Sequence, residues 1–398
     1  MKRKYLNWVM NFRSGEVAGP MQLNRLTQID LIKGLVMISV ILGHTFSLTY
    51  ESQSNQLAHE TILSMSTSLP SFDIKDIFSH WITYSALITQ QAVPILLLVM
   101  GLNYSWSYAR NNLNRLSDIY SKREIKKRLR RFLIPFAIFF IFLSISGIIW
   151  FIVSGDVILQ FSSFNLIGFL PVNGPGNFFI SLVFQFLLVF PVLHISYRRR
   201  PTTTIILAFS ISVIFELLFS GYADAEVCIL RYLPLLVLGI FLSDNYDLFS
   251  KRNRILIVLG LLSAIYLIVV SQFQYSLSLL GFVFVPYESS MSFLAAFYTA
   301  LLVLLGIKYL PKRVTLWPIH VVSKIGVASY HIFLVQIAYF GVGIAFRAKY
   351  SSLTDLLQPY NTMMVLVNLL VCIGGGTLFY VVTKKLEESR QMKTHTLS

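Results

Sequence analysis

The stretch QIDLIKGLVMISVILGH, from Gln28 to His44, sets three ionisable side chains into an otherwise apolar run. A membrane crossing takes roughly 20 such residues at 1.5 Å each, and this stretch begins one. Asp30 and Lys33 are three apart and share a helix face. Lys33 to His44 is eleven residues, about 1,100° of rotation and within about 20° of three complete turns. All three therefore lie along one stripe, with His44 roughly 16 Å beyond Lys33. Ionisable groups inside a bilayer usually face a bundle interior or a wet cavity and mark function. The plainer alternative is an Asp30–Lys33 pair at the interface and a buried hydrogen bond at His44.

Composition places the rest of the chain in the same class. Of 398 residues, 55% are hydrophobic and 13% charged, with mean hydropathy +0.67. Soluble domains carry about a quarter charged residues, so the surface left over here would not dissolve in water. The 32 Phe and 20 Tyr suit lipid-facing and interfacial positions. Cys228 and Cys372 stand in apolar stretches without metal or redox spacing, which reads as packing, and no metal site is expected. The N-terminus lacks the short apolar core and cleavage site of a signal peptide, so the first apolar segment is expected to be an uncleaved transmembrane helix.

Hydropathy predicts an all-α integral membrane protein of about ten transmembrane helices: 30–50, 82–103, 133–154, 177–196, 203–220, 229–243, 255–271, 291–308, 325–346 and 361–383. The sixth is short. Orientation follows from Lys and Arg, which accumulate in cytoplasmic loops. With the N-terminus inside, the inner segments hold five, nine, three, three, four and four, 28 together, against Lys75, Arg231, Arg347 and Lys349 outside. Both termini are thus expected to be cytoplasmic: 1–28 as an N-terminal segment, 29–384 as the membrane domain, 385–398 as a tail. The net charge of +15 then orients the chain and touches anionic lipid, and nucleic acid is not an expected partner.

Further polar groups lie in or beside these segments. KKRLRRFLIPF carries a basic run from Lys126 to Arg131 before Pro135. Arg128 and Arg131, spaced i,i+3, project together, and two guanidinium forks suit phosphate better than lysine does; an ordinary inner-face anchor is the alternative. GPGNFF makes a tight turn at Gly174–Gly176, with Asn177 as an N-cap candidate. Arg231 stands near Asp224 and Glu226, either of which could pair with it. SYHIFLVQ sets Tyr330, His331 and Gln336 in the ninth helix.

The opening stretch resembles the first helix of the acyltransferase type 3 family, whose signature is a basic residue, ten residues, then histidine, with an acid shortly before. Here these are Lys33, His44 and Asp30. Arg128 and Arg131 ahead of Pro135 are similar to the family's Arg-x-x-Arg pair before a proline-containing helix. PGNFFISLVFQFLLVFPVL, RYLPLLVLG and SYHIFLVQ resemble three further signatures, in family order from about 26 to 383. Two departures stand out: lysine replaces the commoner arginine at 33, and Gln336 holds a place often taken by histidine. Many relatives also carry a hydrolase-like domain after the last helix, so a stand-alone form is expected here.

The resemblance implies a membrane O-acyltransferase moving an acyl group, commonly acetyl, from acyl-CoA to a hydroxyl of a cell-surface carbohydrate or glycolipid in a bacterial plasma membrane. Acetyl-CoA or another acyl-CoA would be a donor substrate and not a resident cofactor. Arg128 and Arg131 would hold its phosphates. His44 would act as general base or carry the acyl group itself, with Lys33 and Asp30 in support. Asn177, Arg231 and Tyr330 are candidates for the acceptor. The rival reading is a polysaccharide exporter, a class often built from paired halves, which are not seen here. The sequence leaves a homodimer open.

Overall fold

The computed structural model describes residues 27–45, 91–157, 159, 168–172, 174–219, 227–245, 254–273, 278–279, 282–283, 293–314, 316–349 and 361–395. Helix α1 spans Thr27–Thr45, α2 Ala92–Arg110, the single turn α3 Leu116–Ile119 and α4 Lys122–Ser154. Then come α5 Phe178–Arg199 and α6 Pro201–Phe219. A 3₁₀ turn at Ile229–Tyr232 leads into α7, Leu233–Asp244. α8 is Arg254–Phe273 and α9 Ala296–Tyr309. α10, Trp317–Val327, α11, Ser329–Lys349, and α12, Asn361–His395, complete the order. The strand content among the described residues is one antiparallel pairing, Ser278–Leu279 with Phe282–Val283.

Every apolar segment found in the sequence carries a helix, yet fewer than ten qualify as spans. Among the described residues six are long and apolar enough to cross a membrane: α1, α2, α4, α5, α6 and the Met363–Ser389 part of α12. α10 and α11 would make a seventh as one span, but they bend by 75° at Ala328. The shortfall has physical causes. α7 has 12 residues, about 18 Å at 1.5 Å per residue, against roughly 30 Å of hydrocarbon. Phe293–Tyr309 is also a short apolar helix, whereas α8 runs for 20 residues, about 30 Å. Residues 46–50 and 82–90 of the first two expected segments lie outside the described residues.

α7 is short because it is wrapped by protein, as expected of a helix apolar on all sides. It packs most extensively against α2. The two backbones meet at Gly101 and Gly239, where a Cβ on Gly239 would stand 2.5 Å from the Leu98 carbonyl oxygen. α4, α6 and α12 instead turn Ile, Leu and Val outward: Val153 is 81% exposed and Leu370 73%, as lipid-facing residues are.

Two boundaries move in ways that build the site. α4 starts at Lys122, eleven residues before the expected 133, so the basic run is helical, in keeping with the good helix propensity of Lys and Arg. Its 33 residues span about 50 Å, more than a hydrocarbon core. Pro135 lies well inside this helix and has no N–H to give the Arg131 carbonyl. α12 likewise continues past 383 to His395.

α1 crosses α10 at two glycines. A methyl group on Gly326 would overlap the Asp30 carbonyl oxygen, and one on Gly34 the Val322 carbonyl oxygen. Backbone cannot yield as a side-chain tip can, so Gly326→Ala is expected to cost about 1–3 kcal/mol, the usual range for overpacking. The check is a lower unfolding midpoint in detergent. Gly343→Ala, where a Cβ would meet nothing within 4 Å, should leave the midpoint unchanged or raise it.

Candidate active site

A cavity of about 990 Å³ opens among α1, α2, α4, α5, α11 and α12. Its walls are strongly cationic: Arg123, Lys126, Lys127, Arg128, Arg130 and Arg131 come from α4, with Lys33 and Lys384 from α1 and α12. Glu124 and Glu387 are the acidic members. Concentrated positive charge beside low-dielectric walls focuses the field on an anionic ligand. The inner surface is apolar and aromatic, including Phe132, Phe179, Val183 and Phe333.

Arg128 and Arg131 both line this space, as their i,i+3 spacing requires. Arg128 is 8% exposed. It donates from Nη2 to the Ile119 carbonyl at 2.9 Å, and its guanidinium lies 4.8 Å over the Tyr108 ring. Planarity and five N–H donors let arginine do both and still face the cavity. Arg131 is the exposed partner, 5.9 Å from the Phe132 ring centre.

The Asp30–Lys33 pair is closed at 2.8 Å, with the two side chains 8% and 15% exposed. Lys33 reaches the cavity; Asp30 and His44 do not line it. The stripe on α1 therefore serves two places. His44 is half-buried, its ring edge-on to Phe340 at 5.9 Å. It stands beside the Gly174–Asn177 turn: a Cβ built on Gly176 would be 3.9 Å from His44 Nε2. Gly176 has φ +83°, a conformation that favours glycine. The turn is fixed to α11, because Gln336 Nε2 donates to the Pro175 carbonyl at 3.3 Å. At Gly174 a methyl group would overlap the Ile337 carbonyl oxygen. Next to His44, Thr45 accepts from Asn368 Nδ2 at 3.0 Å, and Tyr339 donates to Asn368 Oδ1 at 2.7 Å, tying α1, α11 and α12 together.

The three acceptor candidates separate. Tyr330 lines the cavity and donates its hydroxyl to the Phe132 carbonyl at 3.2 Å. Asn177 does not cap α5, since its side chain makes no cap hydrogen bond. It reaches back instead: Oδ1 accepts from Leu170 N at 2.8 Å, and Nδ2 donates to the Leu170 and Val172 carbonyls at 3.2 and 3.1 Å. Arg231 is deeply buried away from the cavity, its Nε 3.8 Å from Glu216 Oε1. Glu216 also accepts from Phe293 N at 2.8 Å. Asp224 and Glu226 lie outside the described residues. With Asn177's bonds spent on the backbone, Asn177→Ala should destabilise the fold by about 1–3 kcal/mol through the groups left unpaired, read as a lower unfolding midpoint in detergent.

His331, which the sequence sets beside Tyr330 without a role of its own, lines the cavity. Its Nε2 is 2.9 Å from Thr383 Oγ1. The threonine hydroxyl lies 3.0 Å from both the Phe379 and Tyr380 carbonyls, which take its proton. Phe179 and Phe333 were missed because nothing in a local pattern separates them from other span aromatics.

The cavity is thus cationic at one end and apolar and aromatic within, and one of its aromatic residues, Phe333, lies beside the Gly176 turn that borders His44. The family model described as "Acyltransferase domain", that of the type 3 acyltransferases, matches residues 26–383. The chain belongs to this family. It is a multi-pass membrane acyltransferase, which decides between enzyme and exporter. No curated protein and no solved structure matches it. The matched region takes in α1 with its charged stripe, the basic face of α4 and α12 as far as Thr383, and so nearly all of this acyltransferase's cavity.

Proposed function

We propose that this membrane acyltransferase takes an acyl group, most simply acetyl, from acyl-CoA and transfers it to a hydroxyl of a cell-surface carbohydrate or glycolipid. The observation that carries the reading is the cavity itself: cations of α4, α1 and α12 line one space with an apolar inner wall. CoA matches that division, with phosphates at one end and an uncharged pantetheine arm ending in the thioester. The guanidiniums of Arg128 and Arg131 bind phosphate oxygens, and Lys33, held by Asp30, adds a fixed charge. The 28-to-4 distribution of Lys and Arg supports an orientation with this basic end and both termini in the cytoplasm, where CoA is found, and the membrane in this reading is a bacterial plasma membrane.

In the reaction, His44 Nε2 takes the proton of the acceptor hydroxyl as its oxygen attacks the thioester carbonyl. The new C–O bond forms, the C–S bond breaks, and the proton passes to the departing CoA sulfur. The ring is held edge-on by Phe340 beside a turn that cannot shift, which positions Nε2 for general-base work.

The test is the acyl content of cell-surface glycans in a strain lacking the protein, complemented with the wild-type chain. Restoration of an O-acyl group supports the reading and identifies the acceptor. Unchanged acylation, with glycan amount altered instead, overturns it.

A further inference from the structure

We infer that Phe179 and Phe333 form a partition between the donor cavity and His44, and that their rings set the size of acyl group this enzyme transfers. The inference rests on the donor reading above and goes beyond it.

Phe179 on α5 and Phe333 on α11 pack with ring centres 4.7 Å apart, tilted by 58°. They are 4% and 1% exposed, and both line the cavity. Phe333 also faces the other space: a Cβ on Gly176 would lie 3.1 Å from its Cζ and 3.9 Å from His44 Nε2. One ring therefore touches the cavity and the histidine's surroundings, while His44 itself does not line the cavity.

The partition is rigidly backed. Phe333, Gln336 and Ile337 follow i,i+3,i+4 spacing and share a face of α11. Gln336 holds Pro175, and Ile337 abuts Gly174. The face that carries the phenyl ring thus also fixes the turn beside His44. Backing a ring away would break both contacts, which leaves side-chain rotation as the way to open it.

A thioester reaching His44 from the cavity must pass these rings with its acyl group leading. Interiors packed to crystal-like density leave little spare volume. One methylene more than an apolar site accommodates typically changes selectivity by about 10–200-fold. Acetyl carries no methylene; butyryl carries two.

The experiment measures CoA release by the purified full-length protein in detergent, with acetyl-CoA and with butyryl-CoA. The acceptor is surface glycan from the strain lacking the protein, and Phe333→Ala and Phe179→Leu are compared with wild type. Donor affinity is measured in parallel by equilibrium dialysis of acetyl-CoA. The wild type should favour acetyl strongly. Both variants should raise the butyryl-to-acetyl ratio of kcat/KM by about tenfold or more, chiefly through faster butyryl transfer, with donor affinity within about twofold of wild type, since the phosphate-binding cations are untouched. Phe179→Leu guards against loss of folding, because it keeps a branched apolar side chain in the packed wall while removing the ring. An unchanged ratio in variants that still bind donor overturns the partition and leaves the acyltransfer reading standing. So does wild-type turnover of butyryl-CoA equal to that of acetyl-CoA. Loss of donor affinity in both variants overturns it too, making the rings part of the donor site. No CoA release by wild type from either donor overturns the donor reading and the partition together.

Discussion

Replacing His44 with alanine will lower acyl transfer by about 10²–10⁴-fold, the span ascribed to a positioned general base, while acyl-CoA still binds. The separation is sharp because His44 does not line the cavity; the cations that do are untouched. The imidazole is held by Phe340 and the Gly176 turn, and among the described residues it has no hydrogen-bond partner, so its nitrogens are available to a substrate. Its truncation strands no buried polar group, and the unfolding midpoint should move little. Glycan acylation in the complemented strain and donor affinity of the purified variant are the two readouts. Full acylation with His44→Ala would make the residue structural and sink the mechanism. The same preparation distinguishes a base from a carrier: an acyl-histidine would release one equivalent of CoA from acetyl-CoA before any acceptor is added, and a base would release none.

Arg128→Ala is the second large effect, expected as a rise of about 10–100-fold in KM for acyl-CoA, from the loss of a charge-assisted bond of roughly 1.5–3 kcal/mol. Burial matters here. Arg128 is nearly enclosed, latched to the Ile119 carbonyl and set over Tyr108, so its charge is presented at a fixed place and poorly screened. Arg131 is exposed, and its alanine variant should raise KM by a few-fold at most, in line with the small worth of solvated pairs. Arg128→Lys should not rescue, because an ammonium cannot lie flat on the tyrosine and reach both carbonyl and phosphate. Recovery of wild-type KM by the lysine variant, or equal effects at 128 and 131, would remove Arg128 from the donor site. Unfolding midpoints separate the loss of the Ile119 latch from the loss of phosphate binding.

Neither variant could have been ranked from sequence, where Arg128 and Arg131 are equivalent members of one basic run. Their difference comes from α3, a single turn whose last carbonyl happens to face one of them. The same holds for Arg231. Its surroundings in the sequence suggest Asp224 or Glu226, which lie outside the described residues; Glu216 on α6, far away in the sequence, also stands 3.8 Å from its Nε. Asn177 has the residue type and position of an N-cap, and its amide bonds backward to Leu170 and Val172 instead. For Arg128 and Asn177 the residue was legible and its partner was not.

What the sequence determined by itself was everything that depends on local composition and period. Hydropathy marked the apolar helical segments, charge scarcity marked the membrane, and the Lys33-x₁₀-His44 and Arg128-x-x-Arg131 spacings marked the family, because each is written within a few helical turns. The number of full spans is not written in hydropathy alone, since a helix such as α7 is apolar all round whether lipid or protein surrounds it. What only the tertiary structure decided was which residues meet. Tyr330 finds the Phe132 carbonyl across 198 positions, His331 finds Thr383 across 52, and Phe333 comes to stand between the cavity and His44. Such contacts arise from close packing of helices far apart in the chain, and close approach at Gly34, Gly101, Gly326 and Gly376 depends on the partner backbone as much as on the glycine. The stripe on α1 was written in 17 residues; that Lys33 lines the cavity while His44 lies beside the Gly176 turn was decided by the helices packed around it.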